Sequence, residues 1–214
     1  MTRDYYKTLL VSQSGKGKTY SSRNLDPEKT GFINMENKPL PYKNKYKYHK
    51  RCTSYKEAYD ALIEYAKNPE IEVIFFDSLS AYFDSLILFC RKNFKGFEVW
   101  NTYNDEISKL MDMIKRIPKE VFATAHYEIL GIEGTLEKRV KTKGKEYEGV
   151  IEKDFTIVLY ADNKFDENGI PKYFFNLAQE NSSAKCPPDI FGEGVLQIPN
   201  DANEVYKKIV EFVS

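Results

Sequence analysis

The chain has 214 residues, 42% hydrophobic and 30% charged, with 14 Phe, 16 Tyr and 1 Trp. This is too apolar and aromatic for a disordered chain and too charged for a membrane protein. Lys and Arg number 32 and Asp and Glu number 32, so no global field draws the chain to nucleic acid, and any such contact must come from local patches.

The length fits one domain, expected to span residues 1–214. The longest apolar run, Leu86 to Cys90, is far short of the ~20 residues that cross a bilayer. Met1-Thr2-Arg3-Asp4 leads straight into a strand-like segment with no secretory h-region. Cys52, Cys90 and Cys186 form no paired framework, which fits reduced thiols in the cytoplasm. With only His49 and His126 present, a structural zinc site is not expected.

In chain order, Lys7 to Val11 reads as a buried strand that stops at a Ser/Gly-rich loop. Gly31 to Met35, Ile71 to Phe76, Glu120 to Ala125 and Phe155 to Tyr160 are further strands. Continuous β-branched and aromatic runs of this kind suit strands covered on both faces. Ser54-Tyr-Lys-Glu57 is a capping box, followed by Ala58, Ala61, Leu62, Tyr65 and Ala66 at helical spacing. Ile107, Leu110, Met111 and Ile114 repeat the pattern until Pro118, and Asp201 opens a last helix with Val205, Ile209, Phe212 and Val213. Alternating strands and helices predict an α/β fold, a mostly parallel central sheet flanked by helices. Asp166-Glu-Asn-Gly169, between Phe155–Tyr160 and Tyr173–Leu177, predicts a C-terminal antiparallel hairpin.

The segment Ser12-Gln-Ser-Gly-Lys-Gly-Lys-Thr19 fits the phosphate-loop pattern G-x-x-x-x-G-K-[ST], with Ser12 in place of the first glycine. Gly15 and Gly17 let backbone N–H groups curl around phosphate oxygens, with Ser14, Lys16 and Tyr20 completing the nucleotide-binding stretch. Lys18 is expected to reach the β- and γ-phosphates, Thr19 to ligate Mg²⁺, and the following helix to point its positive end at the anion. Such a loop calls for a carboxylate at the end of an apolar strand. Val73-Ile-Phe-Phe-Asp77-Ser78 supplies it, and places Asp77 at the metal. Asp77 could instead simply cap the next helix. Glu36, after the strand Gly31–Met35, is the candidate base or water-orienting group; its plainer role is a surface residue of a polar turn. His126, closing Ala123-Thr-Ala-His126, is the candidate γ-phosphate sensor; a packed core histidine is the alternative.

Together these residues resemble the RecA-like branch of P-loop ATPases, in which a strand ending in Glu and a strand ending in Asp-Ser follow the phosphate loop. Phe122-Ala-Thr-Ala-His126, Ala184-Lys-Cys-Pro-Pro-Asp189 and Ile198-Pro-Asn-Asp201 are similar to segments of phage-encoded AAA-type nucleotide-binding proteins. That group includes the Sak-type recombination ATPases that assist single-strand annealing. The resemblance implies ATP and Mg²⁺ as cofactors, hydrolysis of ATP to ADP, a homo-oligomer, and a phage recombination or replication protein as partner in the host cytoplasm. It also implies that Lys185 acts on a neighbouring subunit's phosphates, although a solvated lysine reads equally well.

Two basic runs could carry single-stranded DNA. Lys38 to Arg51 holds six positive charges and no acid, among them Lys43, Lys45 and Lys47, interleaved with tyrosines. Lys138, Arg139, Lys141, Lys143 and Lys145 lie in a Gly-containing, flexible-looking stretch after the sensor strand. Aromatics between lysines suit base stacking beside phosphate tracking, while ordinary solvated loops are the alternative. Two other functions fit a phosphate loop: a small-molecule kinase and a nucleotide-gated binding module without turnover. The six arginines are scattered rather than gathered into a lid, which disfavours the kinase.

Overall fold

The computed structural model describes residues 3–43, 45–132 and 134–214. Met1 and Thr2, which open the segment expected to hold no secretory h-region, lie outside the described residues. The chain runs β1 (Lys7–Val11), a 3₁₀ helix (Thr19–Asn24), β2 (Thr30–Asn34), β3 (Tyr48–Arg51), α1 (Tyr55–Lys67), β4 (Val73–Asp77), α2 (Leu79–Asn93) and α3 (Phe97–Arg116). It continues with β5 (Glu120–Ala125), β6 (Tyr127–Ile132), β7 (Thr135–Val140), β8 (Ile157–Phe165), β9 (Pro171–Asn176), α4 (Pro188–Phe191), β10 (Gln197–Pro199) and α5 (Ala202–Val213).

The main sheet has the order β10-β9-β8-β1-β5-β4-β2-β3. From β8 to β3 every pairing is parallel, and β9 joins β8 antiparallel. The α/β architecture and the C-terminal hairpin are therefore as the sequence predicts. Asp166 builds the hairpin turn, its carboxylate accepting from the backbone N–H groups of Asn168 and Ile170 at 3.0 and 2.9 Å.

Both sheet faces are covered, which is why the strands read as unbroken apolar runs. Leu9, Ile74 and Phe76 pack on one face with Leu62, Phe83 and Leu110 of α1, α2 and α3. Leu10, Phe75 and Phe122 face the other way, toward Val205 and Ile209 of α5. In register across β2, β4 and β5, Phe32, Phe75 and Phe122 form a stacked ladder with centroids 5.2 and 6.3 Å apart. The ladder fixes the relative heights of three strands whose ends carry the site.

Ser54 caps α1 by accepting from the Glu57 N–H, and the Glu57 carboxylate returns to the Thr53 N–H at 2.8 Å, one residue before the box position. Three elements depart from expectation. The run 38–51 ends in an edge strand, β3, whose Lys and Arg suit an exposed sheet edge. The stretch containing Lys138 and Arg139 is not a flexible loop but the β7 arm of a hairpin with β6. The segment after Asp77 holds two helices, α2 and α3, before the next strand.

Lys7 is 3% exposed and donates to the carbonyls of Ile117 and Lys119 at 2.8 and 2.7 Å. Burial lowers its ammonium from 10.5 to about 8, although Glu120 opposes the shift. Between those values the unfolded chain binds a proton that the native chain has lost, so Lys7's contribution to stability rises with pH there. Urea unfolding of wild type and Lys7→Met at about pH 7.5 and about pH 9.5 checks this. The stability difference should move in favour of wild type at the higher pH; a difference independent of pH would contradict it.

Candidate nucleotide site

The loop between β1 and the 3₁₀ helix has Gly15 at φ +78° and Gly17 at φ +90°. A Cβ on Gly17 would stand 2.8 Å from the Tyr173 ring, so glycine is needed there both for conformation and for space. Ser12, in place of the first glycine of the pattern, is not among the positive-φ residues. It is buried, donates its N–H to the Ala125 carbonyl at 3.1 Å, and bonds Gln13 O through its hydroxyl at 2.9 Å. The backbone at Ser12 therefore does not require glycine.

The element after the loop is a correction. The expected helix is a six-residue 3₁₀ helix with no side-chain cap. Ser21 Oγ and Ser22 Oγ donate to the carbonyls of Lys18 and Thr19 at 2.6 and 2.7 Å. Serine hydroxyls bonded three residues back compete with the helical ladder, and a 3₁₀ turn results. No helix dipole can be assigned to the anion here.

Lys18 is 8% exposed, with its ammonium donating to Ser12 O, Ser12 Oγ and Gln13 O at 2.9, 3.1 and 3.1 Å. It also lies 3.4 Å from His126 Nδ1. Burial lowers its pKa to about 8, against the pull of Asp77 and Glu36. Thr19 Oγ1 donates to Asp77 Oδ2 at 2.8 Å, and Thr124 Oγ1 to Asp77 Oδ1 at 2.5 Å. Asp77 is 3% exposed, and burial raises its pKa although both threonines favour the charged form. It does not cap α2; Ser78 does, accepting from the Ala81 N–H at 3.2 Å.

Glu36 lies two residues beyond β2, in a turn built by Asn34, whose side chain bonds Lys38 O and the Asn37 N–H at 3.0 and 2.9 Å. Ser78 Oγ donates to Glu36 Oε1 at 3.0 Å, and Lys38 Nζ to Oε2 at 2.9 Å. Burial pushes the Glu36 carboxyl up, but the bonds from Lys38 and Ser78 outweigh it and hold it below the ordinary value. His126 is anchored by its N–H to Ser80 Oγ at 2.8 Å, with Nδ1 3.2 Å from Ser12 O. Burial first, then the Lys18 charge, lowers its pKa and keeps it neutral at neutral pH.

A cleft of about 490 Å³ is lined by Ser14, Gly15, Gly17, Lys18, Thr19, Tyr20, Glu36, Asp77 and His126. Nine residues from four separate stretches of sequence thus meet at one place. Lys16 is absent from this lining; its ammonium lies 2.7 Å from Asn163 Oδ1 and 2.8 Å from Asp162 Oδ1, on β8. The sequence alone does not single out Thr124, Asn34 or Tyr173, and it offers Lys38 only as the head of the first basic run, not as a residue of this cleft. Only Thr124, one residue before Ala125 at a strand end, carried a usable signal.

The other candidates lie apart. Lys185 exchanges backbone hydrogen bonds with Val158 of β8 at 3.0 and 2.8 Å, and its side chain is exposed. In the first basic run Lys43 and Lys45 are exposed, while Lys47 pairs with Glu70 at 2.9 Å. Two of its tyrosines turn inward: Tyr46 stacks on Phe32 at 5.1 Å and Tyr42 bonds Ser22 Oγ. They cannot serve there as a stacking platform for bases. In the second run Lys138 sits over the Tyr127 ring at 5.5 Å, and Arg139 pairs with Glu137. Lys143 pairs with Asp84 at 2.9 Å. His126, Lys141 and Lys143 share a smaller cleft of about 340 Å³ with Gln13 and Ser80.

Removing the Thr124 hydroxyl would strip a buried carboxylate of a donor, a loss of about 1–3 kcal/mol. Thr124→Val should therefore lower stability by that amount in urea unfolding; an unchanged midpoint and slope would contradict the role given to Thr124.

Among solved structures, a KaiC-like protein of Pyrococcus horikoshii matches 80% of this chain over 77% of its own, with a TM-score of 0.50 and 14% identity. The flagellar accessory protein FlaH of Methanocaldococcus jannaschii matches 80% over 76%, with a TM-score of 0.44 and 15% identity. The first likeness is one of fold alone, an α/β fold with a mostly parallel central sheet flanked by helices. No curated protein matches the sequence. The AAA domain family matches residues 4–185, the stretch that contains the phosphate loop, Glu36, Asp77 and His126, and the chain belongs to that family.

Proposed function

We propose that this AAA-family protein binds ATP with Mg²⁺, hydrolyses it to ADP, and works as a homo-oligomer on single-stranded DNA in phage recombination or replication in the host cytoplasm. The observation that carries the nucleotide reading is the convergence of Lys18, Thr19, Asp77, Glu36 and His126 on one cleft beside a glycine-bearing loop.

The donors fit Mg²⁺. Thr19 Oγ1 and Asp77 Oδ2 are hard oxygens 2.8 Å apart, and this ion takes one or two protein oxygens beside phosphate and water. Among the described residues no cluster of three or more His, Cys, Asp or Glu could hold a metal, so a protein-only cage is not the mode. Bound there, Mg²⁺ supplies charge neutralisation on phosphate oxygens. Thr124 holds the Asp77 carboxylate from its other oxygen.

The chain's own residues do the rest. Loop amides and the Lys18 ammonium bind the phosphates, with Lys18 leaving the carbonyls of Ser12 and Gln13. Glu36, ionised at neutral pH, orients the attacking water and accepts its proton. The neutral His126 ring has one donor to offer a γ-phosphate. Because His126 also lines the cleft with Lys141 and Lys143, ahead of which lies the β6–β7 hairpin, loss of that phosphate is felt next to the second basic run. Lys138, Arg139, Lys141 and Lys143 are the DNA contacts this reading favours. Lys43 and Lys45 are secondary, and Lys185 is assigned to a neighbouring subunit's phosphates. Among the described residues no helix is long and apolar enough to cross a membrane.

Steady-state ATP hydrolysis with and without single-stranded DNA tests this, beside Glu36→Gln. The variant should bind ATP as wild type does and lose turnover by roughly 10²–10⁴-fold. Unchanged turnover would remove Glu36 from the base role. Turnover indifferent to DNA would remove the DNA reading, and ATP binding without turnover would leave a gated module.

A further inference from the structure

The cleft has a second end. The phosphate loop follows β1, with Asp77 and Glu36 on the β5-β4-β2 side of the sheet and Tyr173 on the β8-β9-β10 side. A triphosphate whose terminal phosphate faces Asp77 therefore directs its nucleoside toward Tyr173. There the rings of Tyr20 and Tyr173 lie 5.6 Å apart at 48°, and both line the cleft.

Beside them is Asn200, between β10 and α5. It is 2% exposed, and among the described residues neither its Oδ1 nor its Nδ2 has a hydrogen-bond partner. Its backbone is fully engaged: the N–H donates to Tyr173 O at 3.3 Å, and the carbonyl accepts from Arg23 at 2.6 Å. The residue is thus held firmly while its amide bonds nothing, a state native proteins seldom leave without a reason. The amide also abuts the loop. A Cβ on Gly17 would lie 3.2 and 3.3 Å from Asn200 Nδ2 and Oδ1, and 2.8 Å from the Tyr173 ring that shares the spot.

We propose that Asn200, which lies behind the Tyr173 ring and outside the present lining of the cleft, reads the base of a triphosphate held there, its amide pairing with the 6-amino group and N7 of adenine while the base lies against Tyr20. Adenine presents a donor beside an acceptor on that edge, the complement of an asparagine amide. Guanine presents two acceptors there and leaves one unpaired in either amide orientation. The base gains access when the half-exposed Tyr173 ring turns aside, and Gly17 has no side chain to block it. The proposal rests on the nucleoside-triphosphate reading of the phosphate loop.

Equilibrium binding of ATP, GTP and 7-deaza-ATP with Mg²⁺ to wild type, Asn200→Ala and Lys18→Ala separates the two. Wild type should prefer ATP over both others by roughly tenfold or more. Asn200→Ala should retain triphosphate binding with the three affinities nearly equal. Equal affinities in wild type, or a preference for ATP unchanged in Asn200→Ala, would overturn the role of Asn200 and leave the phosphate loop standing. No Lys18-dependent binding of any triphosphate by wild type would overturn both. The comparison of ATP with 7-deaza-ATP needs no variant, so it stands even where Asn200→Ala folds poorly.

Discussion

A carboxylate taken out of water at the end of a central strand is the constraint around which this molecule is arranged. Asp77 is almost wholly buried, and its desolvation works against the charged form. Two threonine hydroxyls answer that cost, Thr19 from the phosphate loop and Thr124 from the neighbouring strand. Because Thr19 belongs to the loop, the bond that solvates Asp77 also fixes where the loop ends. Lys18, one residue earlier, is drawn under the same roof and satisfies its ammonium on loop carbonyls. Such a buried polar network is stable only if its members meet at fixed heights. The ladder Phe32–Phe75–Phe122 beneath it sets those heights.

The same logic places Glu36. Asn34, opposite Asp77 in the sheet register, folds the turn that follows β2 and presents Glu36 to Ser78. Ser78 is at once the cap of α2 and a donor to Glu36, so the helix start, the acid and the buried carboxylate are one connected unit. His126 is tied to the unit through its backbone N–H, which donates to Ser80 Oγ.

What the sequence disclosed follows from how local each signal is. Gly15, Gly17, Lys18 and Thr19 sit within five residues, and Asp77 closes a run of apolar residues, so each is visible without the fold. The sheet could be read because burial on both faces leaves unbroken apolar strands. β3 could not, since an edge strand of Tyr48-His-Lys-Arg51 carries little apolar character. The β6–β7 hairpin is not legible as a strand pair, since its apolar residues Ile129 and Leu136 are exposed and Lys138 and Arg139 read with the basic run that follows. The helix after the loop failed for a chemical reason, two serines bonding backward to carbonyls. Tyr173 and Asn200 reach Gly17 from more than 150 residues away, a proximity made by the C-terminal hairpin and β10 that spacing along the chain cannot reveal.

The claim on which everything else depends is that Lys18, Thr19 and Asp77 form one site for a metal-bound triphosphate. Thermal unfolding with a non-hydrolysable ATP analogue, with Mg²⁺ and with EDTA, tests it most directly on wild type, Lys18→Ala and Asp77→Asn, since a ligand that binds only the native state raises the midpoint. The account predicts a rise in wild type that is larger with Mg²⁺, a rise in Asp77→Asn that no longer depends on Mg²⁺, and none in Lys18→Ala. Equal rises in all three proteins, or a wild-type rise indifferent to Mg²⁺, would contradict it.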